Sequence, residues 1–167
     1  MPELVVPGAG WRAAWLDAHA EWGPGRHEDG FGLLASDEVG SPAGFAAWLT
    51  RLTEPGCTHR WIVEDGRVLG GIALRHGFGD FVRRFGHLGY GVRPSARGRG
   101  VATWALGRML GEARDLGMDR VLLVCAADNA GSAKTIERHG GILENPADQR
   151  VRRYWIELRE NYLSLDM

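Results

Sequence analysis

The run Val92-Arg93-Pro94-Ser95-Ala96-Arg97-Gly98-Arg99-Gly100-Val101-Ala102 constrains this chain more than any other stretch. It joins a strand-like segment, Gly86 to Val92, which ends in a Tyr90-x-Val92-x-Pro94 pattern, to an amphipathic helix beginning near Val101. That helix is apolar at Ala102, Ala105, Leu106, Met109, Leu110, Ala113 and Leu116, and Gly117 stands at the usual C-terminal position. A glycine-rich turn that opens a helix gathers unpaired backbone N–H groups and the positive end of the helix dipole at one point. It is therefore an anion site, and arginines add charge and forked donors suited to phosphate. Two familiar phosphate loops are excluded. The chain has no Gly-x-x-x-x-Gly-Lys-Ser/Thr string, and Thr103 stands where the dinucleotide fingerprint needs glycine or alanine. What remains is Arg/Gln-x-x-Gly-x-Gly/Ala, filled by Arg97, Gly100 and Ala102. Taken alone, the same string also reads as a basic surface turn.

The segments downstream narrow the choice. Arg120 to Ala126 is a continuous apolar run, as in a strand buried on both faces. Asp128 to Gly141 reads as a short helix with a cap at Asn129 and a double-glycine stop. Strand, phosphate turn, helix, buried strand, then asparagine at the mouth of a second helix resembles the core of the GCN5-related N-acetyltransferase (GNAT) superfamily, which binds acetyl-coenzyme A. The resemblance covers residues 60 to 158. The strings Asn129-x-x-Ser132-x-x-x-Ile136-Glu137-x-x-Gly140-Gly141, Arg153-Tyr154-Trp155-Ile156, Leu74-Arg75-His76 and Gly86-His87-Leu88-Gly89-Tyr90 are similar to a branch of bacterial acetyltransferases with no agreed acceptor. The fold so implied is α/β (α+β). It has a mixed, mostly antiparallel central sheet of about six to seven strands, splayed near the fourth, with about four flanking helices.

At 167 residues the chain is long enough for one domain with a sizeable core. Residues 1–57 are expected to form acceptor-side helices and a loop, 58–158 the coenzyme-binding core, and 159–167 a tail. A net charge of −1 leaves no basic footprint for nucleic acid. The start, Met1-Pro2-Glu3-Leu4-Val5-Val6-Pro7, lacks the basic and apolar regions of a signal peptide, and no apolar run reaches the ~20 residues of a bilayer span. Cys57 and Cys125 outline no disulfide framework, and Cys125 reads as inert core. A cytoplasmic protein without a membrane partner is expected, with a homodimer one possible assembly.

Upstream, Trp11, Ala14, Trp15, Ala18 and Trp22 mark one face of a first helix. Ser41-Pro42 reads as the start of a second, with Phe45, Trp48, Leu49 and Leu52 on one side. Residues 23–40 and 77–85 read as loops. Asp65-Gly66 is a strong hairpin signal between Arg60–Glu64 and Arg67–Leu74. Leu4 to Val6 is a candidate first strand, and Val151 to Leu158 alternates as a last one, with Tyr154, Ile156 and Leu158 on one face.

Acetyl transfer needs a neutral amine, a polarised thioester carbonyl and stabilisation of the departing thiolate. The resemblance assigns the carbonyl to a free backbone N–H at or beside Val92, worth a few kcal/mol. It assigns the coenzyme to Val92, Arg93, Arg97, Gly98, Arg99, Gly100, Val101, Ala102 and Thr103, with Asn129 and Ser132 on the pantetheine arm. Asn129 reads equally as a helix cap. Many family members carry a tyrosine seven residues past that asparagine, as acid for the thiolate; here that position is Ile136. Ser132 and Tyr154 are the hydroxyls left to consider, and for Tyr154 a packing role is the other reading. Base candidates are His27, Glu28, Asp29, His76 and His87. Against these, Glu28 and Asp29 also read as solvated loop, and His87 as a satisfied, partly buried histidine. His139 is expected to cap a helix C-terminus. Histidine and cysteine spacing points to no metal. The expected activity is acetyl-CoA-dependent acetylation of a small-molecule primary amine. A protein lysine or N-terminus is the alternative acceptor, and a catalytically weak coenzyme A-binding module the alternative class. Trp22, Phe31, Phe78 and Phe81 are the aromatics available to line an acceptor pocket.

Overall fold

The computed structural model describes residues 1–23, 30–144 and 150–159. Its elements follow the expected order. β1 (Glu3–Val5) leads into α1 (Arg12–Trp22) and α2 (Pro42–Leu52), then β2 (Cys57–Glu64) and β3 (Arg67–Arg75). A short α3 (Asp80–Phe85) precedes β4 (Leu88–Val92), α4 (Val101–Asp115), β5 (Arg120–Ala126), α5 (Ala130–Arg138), β6 (Ile142–Leu143) and β7 (Val151–Glu157). Among the described residues, α3 is an addition in the segment read as a loop, beside short 3-10 turns at Ala9–Trp11 and Pro94–Ala96. α3 has six residues with only Val82 buried, so no apolar repeat announces it.

Two antiparallel sheets carry the fold, in the orders β1-β2-β3-β4 and β5-β7-β6. Asp65 and Gly66 take φ of 51° and 75° at the β2–β3 turn, the left-handed pair that such a hairpin requires. Alternation along β2 divides its side chains between two cores. Ile62 joins β3, β4, β5 and β7 under α4 and α5, whereas Trp61 and Val63 pack with Trp15, Trp48, Phe31 and Phe45 under α1 and α2. The α4 stripe behaves as the sequence implies: Ala105, Leu106, Met109, Leu110 and Ala113 are buried. Val121, Leu122 and Leu123 are buried in succession along β5, which is covered on both faces.

Three devices set the frame of the site. Ser41 Oγ accepts the Gly44 N–H at 3.0 Å and starts α2 as expected. The His139 ring, at the C-terminus of α5, reaches across to the Thr103 carbonyl at 2.7 Å, so it ties α5 to the first turn of α4. Gly107 permits that approach, since a Cβ there would lie 2.9 Å from the imidazole.

Candidate active site

Among the described residues, the two sheets are hydrogen-bonded to each other at one end of β4. There the His87 N–H donates to the Leu122 carbonyl at 2.7 Å, and the Leu122 N–H donates to His87 Nδ1 at 2.8 Å. Further along, β4 pairs only with β3. The bonds Arg75 N–H to His87 O and Arg93 N–H to Leu69 O, both 2.7 Å, fix the phase of that ladder. In an antiparallel ladder, alternate residues point their N–H groups to opposite sides. The N–H groups of Tyr90 and Val92 therefore face away from β3, into the gap before β5. Arg97 Nε donates to the Val92 carbonyl at 2.8 Å and holds this end of the strand in place.

The turn that follows is built for close approach. Gly98 and Gly100 have φ of 76° and 75°, a region that other residues enter only with strain, and nothing crowds either Cβ position. Gly100 caps α4 without any side-chain hydrogen bond. The first N–H bonded within the helix is that of Trp104, to the Gly100 carbonyl at 3.0 Å. The N–H groups of Val101, Ala102 and Thr103 thus remain available at the positive end of a 15-residue helix. They open onto a cleft of about 410 Å³. Val92, Ala96, Arg97, Gly98 and the residues from Gly100 to Thr103 form one wall, and Gly131, Lys134, Thr135 and Arg138 of α5 form the other. Backbone donors, Arg97, Lys134 and Arg138 converge on this space, a donor set that fits a phosphorylated ligand. The α5 wall was not singled out from sequence. Its signal is the spacing 131, 134, 135, 138, one helical face of small, hydroxylic and basic side chains.

The three remaining arginine assignments separate. Arg97 lines the cleft, with its guanidinium also 5.7 Å from the Trp22 ring centre. Arg93 is 2% exposed and turned to the opposite side, bonded to Glu21, Asp17 and the Val68 carbonyl. That guanidinium, with Ser95, holds the Glu21 carboxyl down at about 2. Arg99 pairs with Glu64 at 2.6 Å, on the exposed side of the turn. The sequence string is continuous, but its side chains have three destinations.

On α5, Asn129 Oδ1 accepts the Ser132 N–H at 3.1 Å, so the capping role is realised. Ser132 Oγ lies 2.8 Å from the Tyr90 hydroxyl, which crosses the gap from β4. Burial pushes that phenol up to about 12. Ile136 is 1% exposed and packed in the core. Tyr154 is buried beside it, opposite Leu123 on β7, and its hydroxyl donates to Glu137 Oε1 at 2.8 Å.

The base candidates fare differently. His27, Glu28 and Asp29 lie outside the described residues. His87 is the clasp between the sheets: the Leu122 N–H occupies its Nδ1, and burial pushes its pKa down. A base needs a free lone pair facing the reacting amine, and His87 instead sits where the sheets join. His76 Nε2 is 2.7 Å from Thr58 Oγ1, at the far end of β3. Among the proposed pocket aromatics, Trp22 and Phe31 are buried in the α1–α2 core, and Phe78 and Phe81 are exposed. Phe78 stacks on the His87 ring at 5.7 Å, and the Arg75 guanidinium lies 4.7 Å from the Phe81 centre. Cys57 and Cys125 are free thiols. Among the described residues, no group of three or more His, Cys, Asp or Glu side chains could hold a metal, and no helix is long and apolar enough to cross a membrane.

A splayed sheet, a backbone N–H turned into the gap and a helix N-terminus open to an anion are the features that the family resemblance implies for a coenzyme A-dependent transferase. Residues 34–142 match the family model of the Acetyltransferase (GNAT) domain, and the chain belongs to that family. Comparison with curated proteins finds no match. Solved structures share the fold at low identity. The putative acetyltransferase yncA from Salmonella typhimurium, with acetyl-CoA, superposes with a TM-score of 0.62 at 18% identity, covering 96% of each chain. RimL, a ribosomal-protein alpha-N-acetyltransferase in complex with coenzyme A, gives 0.70 at 15% over 93% of each. A chimera of the spermidine N-acetyltransferase SpeG from Vibrio cholerae and hSSAT gives 0.67 at 14%, over 94% of this chain and 95% of that one.

Proposed function

We propose that this chain transfers an acetyl group from acetyl-CoA directly to a primary amine of a small molecule. The observation that carries the reading is the Val92 N–H, turned into the sheet gap beside a cleft lined by backbone donors and three cations. When bound, acetyl-CoA supplies the activated acetyl thioester. The N–H groups of Val101, Ala102 and Thr103, with Arg97, Lys134 and Arg138, hold its phosphates. The Val92 N–H donates to the thioester oxygen, and its contribution grows as negative charge develops there. Arg97 keeps that donor aimed by bonding the carbonyl of the same residue. The acceptor amine reaches the gap after losing its proton, with His27, Glu28 and Asp29 the candidates, on sequence grounds, for drawing in and deprotonating it.

Similar folds include enzymes named for both kinds of acceptor, spermidine and a ribosomal protein. Ile136 favours one other reading, a catalytically weak coenzyme A-binding module, because its buried alkyl chain donates no proton. Release of free thiol from acetyl-CoA with a panel of primary amines separates these readings. Turnover with small amines supports the proposal, turnover only with peptides moves the acceptor to protein, and coenzyme A binding without turnover with any amine leaves the binding module.

A further inference from the structure

Position 136, where the family resemblance places a thiolate-facing phenol, is a core isoleucine here. A phenol nevertheless reaches the same gap from the facing wall. Tyr90 lies between Gly89 and Gly91 on β4, and alternation turns it toward α4 and α5, where its ring packs against the core. Its hydroxyl is 2.8 Å from Ser132 Oγ in the first turn of α5, so the pair spans the mouth between the two sheets. Cys125 of β5 is buried in the core against which this ring packs. Two residues along β4, Val92 lines the phosphate cleft. The donor assigned to the thioester oxygen and this phenol thus belong to one strand and one opening.

We propose that Tyr90, its hydroxyl steadied by Ser132, donates the hydrogen bond that stabilises the departing coenzyme A sulfur, so that β4 supplies what α5 lacks. The inference rests on the acetyl-transfer reading above. The acetyl carbon forms its bond to the amine nitrogen, the carbon–sulfur bond breaks, and its electron pair stays on sulfur. The amine proton goes to the base, and solvent protonates the thiolate after release. The phenol keeps its own proton. It ionises at about 12, and thiols near ~8.5, so the sulfur is too weak a base to take it. A strong hydrogen bond to a charged acceptor is the contribution available. Lys134 and Arg138 of α5 and Arg97 of the turn line the adjoining cleft and add a general positive field. Glu137 is engaged by Tyr154 on the buried side of α5.

The test is the ionisation of the coenzyme A thiol in its complex with the protein. It is followed by the ultraviolet absorbance of the thiolate, with the desulfo-coenzyme A complex as blank. In Tyr90→Phe, the bound thiol should ionise at a pH higher by about one to two than in the wild type. Coenzyme A affinity at pH 5, where the thiol is protonated in both proteins, should stay within about twofold. Ser132→Ala should give a smaller rise, because it loosens the phenol without removing it. Equal ionisation in wild type and Tyr90→Phe overturns the proposal, and so does a rise in Ser132→Ala as large as that in Tyr90→Phe. If Tyr90→Phe does not fold, fluorotyrosine incorporation replaces it. The more acidic phenol should lower the ionisation pH of the bound thiol, and no change overturns the proposal. Failure of the wild type to bind coenzyme A refutes the cleft assignment itself, a result distinct from binding with an unaltered thiol.

Discussion

Replacing Gly100 separates the two ways in which the turn could hold phosphate. Gly100 sits at φ 75°, with nothing within 4 Å of its Cβ position. A side chain there meets no neighbour in the free protein, so the stability cost is conformational. Left-handed backbone costs an L-residue about 1–2 kcal/mol, and a β-branched one sits at the upper end. For a chain of this size each kcal/mol lowers Tm by about 2–4 °C, so Gly100→Val should melt about 4–8 °C below wild type. The effect on ligand is larger and of another kind. The valine side chain fills the space through which phosphate approaches the N–H groups of Val101, Ala102 and Thr103. Losing two or three charge-assisted bonds at about 1.5 kcal/mol or more each weakens coenzyme A binding by at least about a hundredfold. Arg97→Ala removes one cation among three and slackens Val92, which should cost about tenfold. Titration calorimetry with coenzyme A, read beside thermal melts, measures both. Equal losses in the two variants would mean that side chains hold the phosphates, and would refute the argument from backbone donors.

Tyr154→Phe removes the bond to Glu137 from a buried ring, so Tm should fall by a few degrees and kcat by less than about tenfold. A larger drop in kcat without a stability change would make Tyr154 a proton donor. Glu21 titrates at about 2 in the folded protein against an ordinary value of 4.5, so its stabilisation is complete above about pH 5 and is lost as pH falls toward 2. Arg93→Met should reduce that acid-side slope in a series of melts across pH 2–6, leaving the share held by Ser95; an unchanged slope would assign it to other carboxylates. His87, neutral in its clasp, has a lowered pKa, so its contribution is full above about pH 6.5 and declines as pH falls below it. His87→Ala should lower stability by about 2–4 kcal/mol in urea denaturation and flatten that decline, and a variant as stable as wild type at pH 7 would remove the clasp.

Elements with a local signature were legible in the sequence. The stripe from Ala105 to Ala113, the Ser41-Pro42 start, the Asp65-Gly66 hairpin and the glycines at 98 and 100 each follow from backbone or packing rules that act within a few residues. What stayed hidden is decided by partners far away in the chain. Arg93, Arg97 and Arg99 look alike in the string, and only the placement of Glu21, Trp22 and Glu64 sends them in three directions. Trp22 and Phe31 read as aromatics available to a pocket until α1, α2 and β2 bring Trp15, Trp48 and Trp61 around them. His87 resembled a base because sequence does not show that the Leu122 N–H fills its lone pair. Tyr90 was passed over because its partner, Ser132, lies 42 residues away.

The central claim is that the Val92 N–H is a free donor aimed at the thioester, beside a turn that holds phosphate through its backbone. Backbone amide resonances of the labelled protein test it most directly, recorded alone, with coenzyme A and with acetyl-CoA. The account predicts that the amide protons of Val101, Ala102 and Thr103 move downfield with both ligands, and that of Val92 moves further downfield only when the acetyl group is present. A Val92 amide that is indifferent to the acetyl group, or ligand-induced shifts confined to residues outside the cleft between α4 and α5, would contradict it.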